Sequence, residues 1–118
     1  MKTKNVVALI GALVLSTSFF RSAEAARECG RASWYALHSK TASGEMMNPA
    51  DFTAAHRSLK FGTRIRVSNA NNSKSVIVRI NDRGPFVKGR IVDLSKAAAA
   101  SIGMISSGHA PVCIERLS

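Results

Sequence analysis

The chain has 118 residues, of which 46% are apolar, and 17 lysines and arginines against 7 acidic residues give a formal charge of +10. That length bounds the fold to one small domain with a modest core. Two cysteines with no histidine cluster beside them argue against structural zinc, and neither a metal nor another cofactor is expected.

Met1–Asn5 carries Lys2 and Lys4, Val6–Phe20 is mostly apolar, and Ala23-Glu24-Ala25 is a small-x-small cleavage signature. Together these read as a secretory signal peptide over residues 1–25. The rival is a membrane anchor, but the apolar stretch is interrupted by Ser16, Thr17 and Ser18 and is short for a bilayer span. Cleavage after Ala25 leaves a domain at 26–118. It removes Lys2, Lys4, Arg21 and Glu24, which takes the formal charge from +10 to +8.

A periplasmic or secreted basic domain suits polyanionic surroundings such as cell-wall polymers or an anionic membrane face. Export takes it away from nucleic acid, so no nucleic-acid partner is expected. Its basic residues are scattered (Arg31, Arg57, Arg64, Arg66, Arg79, Arg90) and form no single run. A monomer without a stable membrane anchor is expected.

Cys29 and Cys113 lie near the two ends of the exported part. In that compartment such a pair favours a disulfide. The rivals are a reactive thiol and lipid attachment at Cys29, and the preceding Ala26-Arg27-Glu28 is a poor lipidation signal.

Arg31–Tyr35 reads as a short strand ending on Trp34 and Tyr35. Ala36–Asp51 is a long loop with turn signals at Ser43-Gly44 and Asn48-Pro49. Thr53–Leu59 reads as a helical turn or two capped by Thr53 and broken at Phe61-Gly62. Arg64–Ser68 alternates as a half-buried strand does, and with Ser75–Ile80 it predicts a hairpin about the polar Asn69–Lys74. Arg90–Leu94 is a further strand. Ser95 caps an alanine-rich helix, Lys96–Ile102, which stops at Gly103. Ala110–Glu115 closes the chain as a strand with Val112 and Ile114 on one face and Cys113 on the other. Five or six short strands with one or two small helices predict a mainly β fold, a compact barrel.

The densest signal is Asn81-Asp82-Arg83-Gly84-Pro85-Phe86, placed directly after the β-branched run Val76–Ile80. Gly84 and Pro85 cannot extend the strand, so Asp82 is expected at the mouth of a rigid β-structure. Glu45 and His56 are the other ionisable residues placed at element ends. Their spacing matches no trusted metal signature. Asp82 has a second reading, as a turn residue whose side chain bonds backbone amides. Asp93 reads as structural, and His38 and His109 as ordinary surface histidines. Trp34 and Tyr35 suit stacking on a pyranose face, although either could equally fill the core. Arg83 reads as a partner of Asp82 or as an anchor for its own loop.

Taken in order, Ala32-Ser33-Trp34-Tyr35, Gly44-Glu45, Thr53–Leu59, Phe61-Gly62-Thr63, Asn81–Phe86 and Ile91-Val92-Asp93-Leu94-Ser95 resemble the RlpA (rare lipoprotein A) domain family over nearly all of Gly30–Glu115. The resemblance implies a six-stranded double-psi β-barrel, related in fold to expansins and barwin-like proteins, that acts on bacterial peptidoglycan. Characterised members are lytic transglycosylases that prefer glycan stripped of peptide stems, and others have no demonstrated cleavage. The family's catalytic acid falls on Asp82, and its associated polar residues fall on Glu45 and His56. Trp34, Tyr35, Arg83 and Phe86 are the expected substrate contacts. Two departures are expected: no convincing cysteine at the cleavage site, where the family's lipoprotein members attach lipid, and a sequence that stops just after the barrel, where many members carry a C-terminal peptidoglycan-binding domain.

The implied reaction suits these residue types. A carboxylic acid protonates the leaving glycosidic oxygen, and the sugar's own 6-hydroxyl captures the oxocarbenium-like centre, giving a 1,6-anhydro end. Asp82 is expected to serve first as acid and then as base. Its pKa would need raising, by Phe86 or by nearby Glu45. Glu45 could instead stabilise positive charge at the anomeric carbon, and His56 could orient a carboxyl. The alternative is a non-catalytic, expansin-like wall-binding module.

Overall fold

A computed structural model describes Arg27–Ser118. The expected leader and its cleavage site after Ala25 lie outside the described residues.

Six strands and one helix follow in chain order: β1 (Arg27–Tyr35), β2 (Thr53–Ala55), β3 (Arg64–Asn69), β4 (Ser75–Asp82), β5 (Arg90–Ser95), α1 (Lys96–Ser101) and β6 (His109–Arg116). The strands close into a barrel in the order β1-β5-β2-β4-β3-β6. β1/β5 and β2/β4 pair in parallel, and the other four pairings are antiparallel. Among the described residues closure leaves the barrel no free sheet edge, a standing hazard for small β proteins.

The period-two pattern explains which side chains fill the barrel. Ile65 and Val67 of β3, Val76, Val78 and Ile80 of β4, Val92 and Leu94 of β5, and Val112 and Ile114 of β6 all point inward. Each such aliphatic side chain stabilises the fold by roughly 1.5–3 kcal/mol. The expected β3–β4 hairpin is present, with Val67 opposite Val76 and Ile65 opposite Val78. In β6, Val112 and Ile114 are inward while Cys113 faces Cys29 across the β1–β6 ladder. Those cysteines form a disulfide with Cα atoms 4.0 Å apart, joining residues 84 positions apart in sequence.

Helix α1 begins where expected: the Ser95 hydroxyl accepts from the Ala98 amide at 3.3 Å. Ala98 and Ala99 are fully buried, and their small side chains let the helix lie close to the barrel. The chain leaves the helix through Ile102 and turns at Gly103, whose φ is +70°.

Three expectations are corrected. Thr53–Leu59 is not helical, because Thr53, Ala54 and Ala55 form β2, buried between β4 and β5. Pairing on both sides outweighs the helix preference of two alanines, and Thr53 caps nothing. β1 starts at Arg27 and not at Arg31, since its first half pairs with β6 through the disulfide. Asp82 is the last residue of β4, where a position beyond the strand was expected.

Candidate functional site

The end of β4 departs from strict alternation: Ile80 and Asn81 are both buried, and Asp82 is half-buried. The partner strand explains why. Ala54 pairs with Ile80 but Ala55 pairs with Asp82, so Asn81 is an extra residue on β4. A bulge of this kind bends the strand and re-aims the next side chain.

Three donors converge on the Asp82 carboxylate. The Ala42 and Arg83 backbone amides both donate to Oδ1 at 2.9 Å, and the Tyr35 hydroxyl donates to Oδ2 at 3.1 Å. Ala42 is brought there by a tight loop. Thr41 N donates to Glu45 O at 2.8 Å, Ser43 N donates to Asn81 O at 3.2 Å, and Gly44 takes φ +94°. Burial raises the Tyr35 pKa well above its ordinary value, and the charge and hydrogen bond of Asp82 add to the rise. Tyr35 therefore remains a donor.

The same loop places Glu45 beside the site. The Arg79 guanidinium grips it with two bonds, Nη1 to Oε2 at 2.8 Å and Nη2 to Oε1 at 2.7 Å, and Asn81 Nδ2 donates to Oε1 at 3.0 Å. These bonds, Arg79's first, lower its pKa from 4.5 to about 2. Glu45 is thus a fixed carboxylate whose charge Arg79 largely offsets.

His56 lies at the site by its backbone, with its amide donating to Asp82 O at 3.2 Å. Its buried ring faces elsewhere. Nδ1 accepts from the Ser58 and Leu59 amides, both at 3.1 Å, which puts the ring proton on Nε2, 3.5 Å from Glu28 Oε2. The ring fixes the turn after β2. Arg83 closes that turn from the other side: Nη1 donates to the carbonyls of His56 at 3.2 Å and Leu59 at 2.8 Å, and the guanidinium lies 4.0 Å above the Phe61 ring. Arg83 is therefore the loop anchor of the two roles considered, and only its backbone amide reaches Asp82.

Of the expected aromatic contacts, Trp34 packs against the core, whereas Tyr35 works on Asp82. Phe86 is 78% exposed and follows a cis Gly84-Pro85 bond. Sequence reasoning passed over Arg79 and Asn81, the two partners of Glu45. The signal was their spacing, since Arg79 and Asn81 alternate on one strand. Asp93, read as structural, accepts from Ser33 Oγ at 3.0 Å.

A family model described as lytic transglycolase matches residues 27–114. A probable endolytic peptidoglycan transglycosylase RlpA of Nostoc sp. is 65% identical over 77 residues, 65% of this chain and 21% of that protein. The chain thus spans about a fifth of that relative's length. Among solved structures, a Streptomyces papain inhibitor superposes with a TM-score of 0.68 at 18% identity, over 79% of this chain and 96% of its own. Apo Clavibacter michiganensis expansin gives 0.62 at 24% identity, over 79% of this chain and 51% of its own. These likenesses give the closed barrel its fold type, the double-psi barrel.

Proposed function

The chain belongs to the RlpA-like lytic transglycosylase family, and on that footing we propose that it cleaves the glycan strands of peptidoglycan between MurNAc and GlcNAc, outside the cytoplasm, leaving 1,6-anhydro-MurNAc ends. The observation that carries this reading is the half-buried Asp82 carboxyl at the end of a bulged strand, held in one orientation by Tyr35, Ala42 and Arg83. Holding a carboxyl group in one orientation is the positioning that acid–base catalysis needs.

In this mechanism the protonated Asp82 gives its proton to the bridging oxygen as the C1–O4 bond breaks. Positive charge develops at C1 of the muramyl ring. The Asp82 carboxylate, stabilised by its three donors, then takes the proton of the muramyl 6-hydroxyl as that oxygen bonds to C1. One proton leaves and one returns, and no water is consumed.

Glu45 remains ionised throughout and favours the developing cation electrostatically, at a strength that Arg79 tempers. His56 supports the site by shaping the 56–59 turn that Arg83 clamps. Exposed Phe86 offers a stacking face for a sugar ring.

A second reading is a wall-binding module that does not cleave. It is favoured by the exposed aromatic rings Phe52, Phe61 and Phe86, which suit carbohydrate binding without any proton transfer. Incubation with intact and amidase-treated sacculi separates the two. Anhydromuramyl products released by the wild type and not by Asp82→Asn support cleavage. Binding without products, unchanged in Asp82→Asn, overturns it.

A further inference from the structure

Two segments of chain leave the site from Asp82. The turn 56–62 starts at His56, whose amide donates to Asp82 O at 3.2 Å, and the loop 83–90 starts at Arg83, whose amide donates to Asp82 Oδ1 at 2.9 Å. They are tied together twice more. Arg83 Nη1 donates to Leu59 O at 2.8 Å, and Arg57 Nη2 donates to Arg90 O at 2.8 Å. The two segments thus form one surface that runs on from the Asp82 carboxyl.

The charge of this surface is one-sided. Its segments carry Arg57, Lys60, Arg83, Lys88 and Arg90 and no acid. Glu28 borders the turn but faces the buried His56 ring, 3.5 Å from Nε2, and Asp93 is close enough to Arg90 to feel its charge. Among the described residues none of the five cations forms an ion pair with a carboxylate, whereas Arg66 and Arg79 are paired with Glu115 and Glu45. Lys60 and Lys88 are both exposed. The loop 36–51 reaches Asp82 through the Ala42 amide, and there the charges balance: Lys40 and the neighbouring Arg79 stand against Glu45 and Asp51. The excess charge beside Asp82 therefore belongs to the 56–62 and 83–90 segments. They also hold the exposed Phe86, whose ring folds back on its own loop: a Cβ built at Gly84 would stand 3.5 Å from Phe86 Cε2.

A neutral glycan can use the aromatic ring but gains little from the cations. A glycan that bears carboxylates gains from both. We propose that this surface holds the peptidoglycan strand by the carboxylates carried on its muramyl residues, with Lys60 and Lys88 as the specificity-determining cations and Phe86 as the platform for a sugar ring. The carboxylate is that of the lactyl group itself or of the attached peptide, and the charge chemistry is the same. Such contacts select an acidic glycan over neutral ones of the same linkage, such as chitin or cellulose. The inference rests on the peptidoglycan reading of the site, and its test does not require cleavage.

Calorimetric titration of the Asp82→Asn protein tests it, since that variant leaves the strands uncut. The probes are soluble glycan strands freed of peptide, strands that keep their peptides, and each of these with its carboxyls amidated. At least one acidic strand should bind roughly fivefold or more tightly than its amidated form, and the strand that does so identifies the carboxylate. Adding Lys60→Gln/Lys88→Gln should remove most of that difference and leave the amidated strands bound as before. A roughly tenfold rise in ionic strength should have the same effect. Equal affinity for acidic and amidated strands, or no binding of any strand, overturns the proposal. A difference that survives in the lysine variant also overturns it. Binding to phosphatidylglycerol vesicles without preference among the strands overturns it too and gives the surface to an anionic membrane. Charge-dependent binding by a protein whose wild type releases no anhydromuramyl products supports the proposal and counts against the cleavage reading alone.

Discussion

The Tyr35 hydroxyl reaches Asp82 at 3.1 Å although β1 and β4 stand opposite each other in the ring of strands. One side chain thus links opposite positions of the barrel at the site. Tyr35→Phe keeps the ring and deletes this donor, a loss of about 1.5 kcal/mol for a bond to a charged group. The turnover number for anhydromuramyl release should fall roughly tenfold with little change in KM, and steady-state kinetics on denuded glycan checks this.

Glu45 gives a pH-dependent contribution whose sign follows from its lowered pKa. The grip of Arg79 favours the ionised form, so the stabilisation is complete above Glu45's ordinary value of 4.5 and is lost as pH falls toward about 2. The Glu45 and Arg79 side chains are 37% and 42% exposed, so water screens the pair and its contribution is about 1 kcal/mol or less. Arg79→Met should flatten the wild-type loss of stability between those pH values, as read by urea unfolding at a series of pH values.

The disulfide joins the first strand to the last, across 84 positions. In the chain-entropy picture, closing so long a loop stabilises the fold by roughly 4–5 kcal/mol. The Cys29→Ser/Cys113→Ser protein should lose most of that stability in denaturant titration, and a thiol count on the wild type should find free thiols only after reduction.

Gly30 of β1 lies against Ile91 of β5. A Cβ built there would stand 2.7 Å from Ile91 Cγ2 and 3.1 Å from Gly89 O. Gly30→Ala should destabilise the barrel by about 1–3 kcal/mol. Gly30→Ala combined with Ile91→Val, which keeps Cγ2, should not restore stability, whereas Ile91→Ala should relieve the clash at the expense of a cavity.

The parts of this fold that the sequence made legible are those set by local pattern. Ile65/Val67 and Val76/Val78/Ile80 announce two half-buried strands, and Ser95 announces a helix start through one hydroxyl. β2 was not legible, because Thr53-Ala54-Ala55 carries no alternation and becomes a strand only through partners on both flanks. The site divides in the same way. Asp82 stood out beside Gly84 and Pro85, but its aim depends on a bulge visible only once β2 and β4 are paired. The Arg79–Glu45 grip spans 34 positions and the Ser33–Asp93 bond 60, separations at which spacing in the chain says nothing about proximity.

Arg27 lies beside Glu115 in the β1–β6 ladder, and Ser118 is held to Arg64 on the neighbouring strand. The two ends of the described chain therefore come out at the same end of the barrel, on either flank of β6. A barrel built in this way can be spliced into a surface loop of a host protein without pulling on either anchor point. It can equally be rewired, with a short glycine-serine bridge joining the old ends and new ends opened at Asn71-Asn72, while every rung of the ring stays in register.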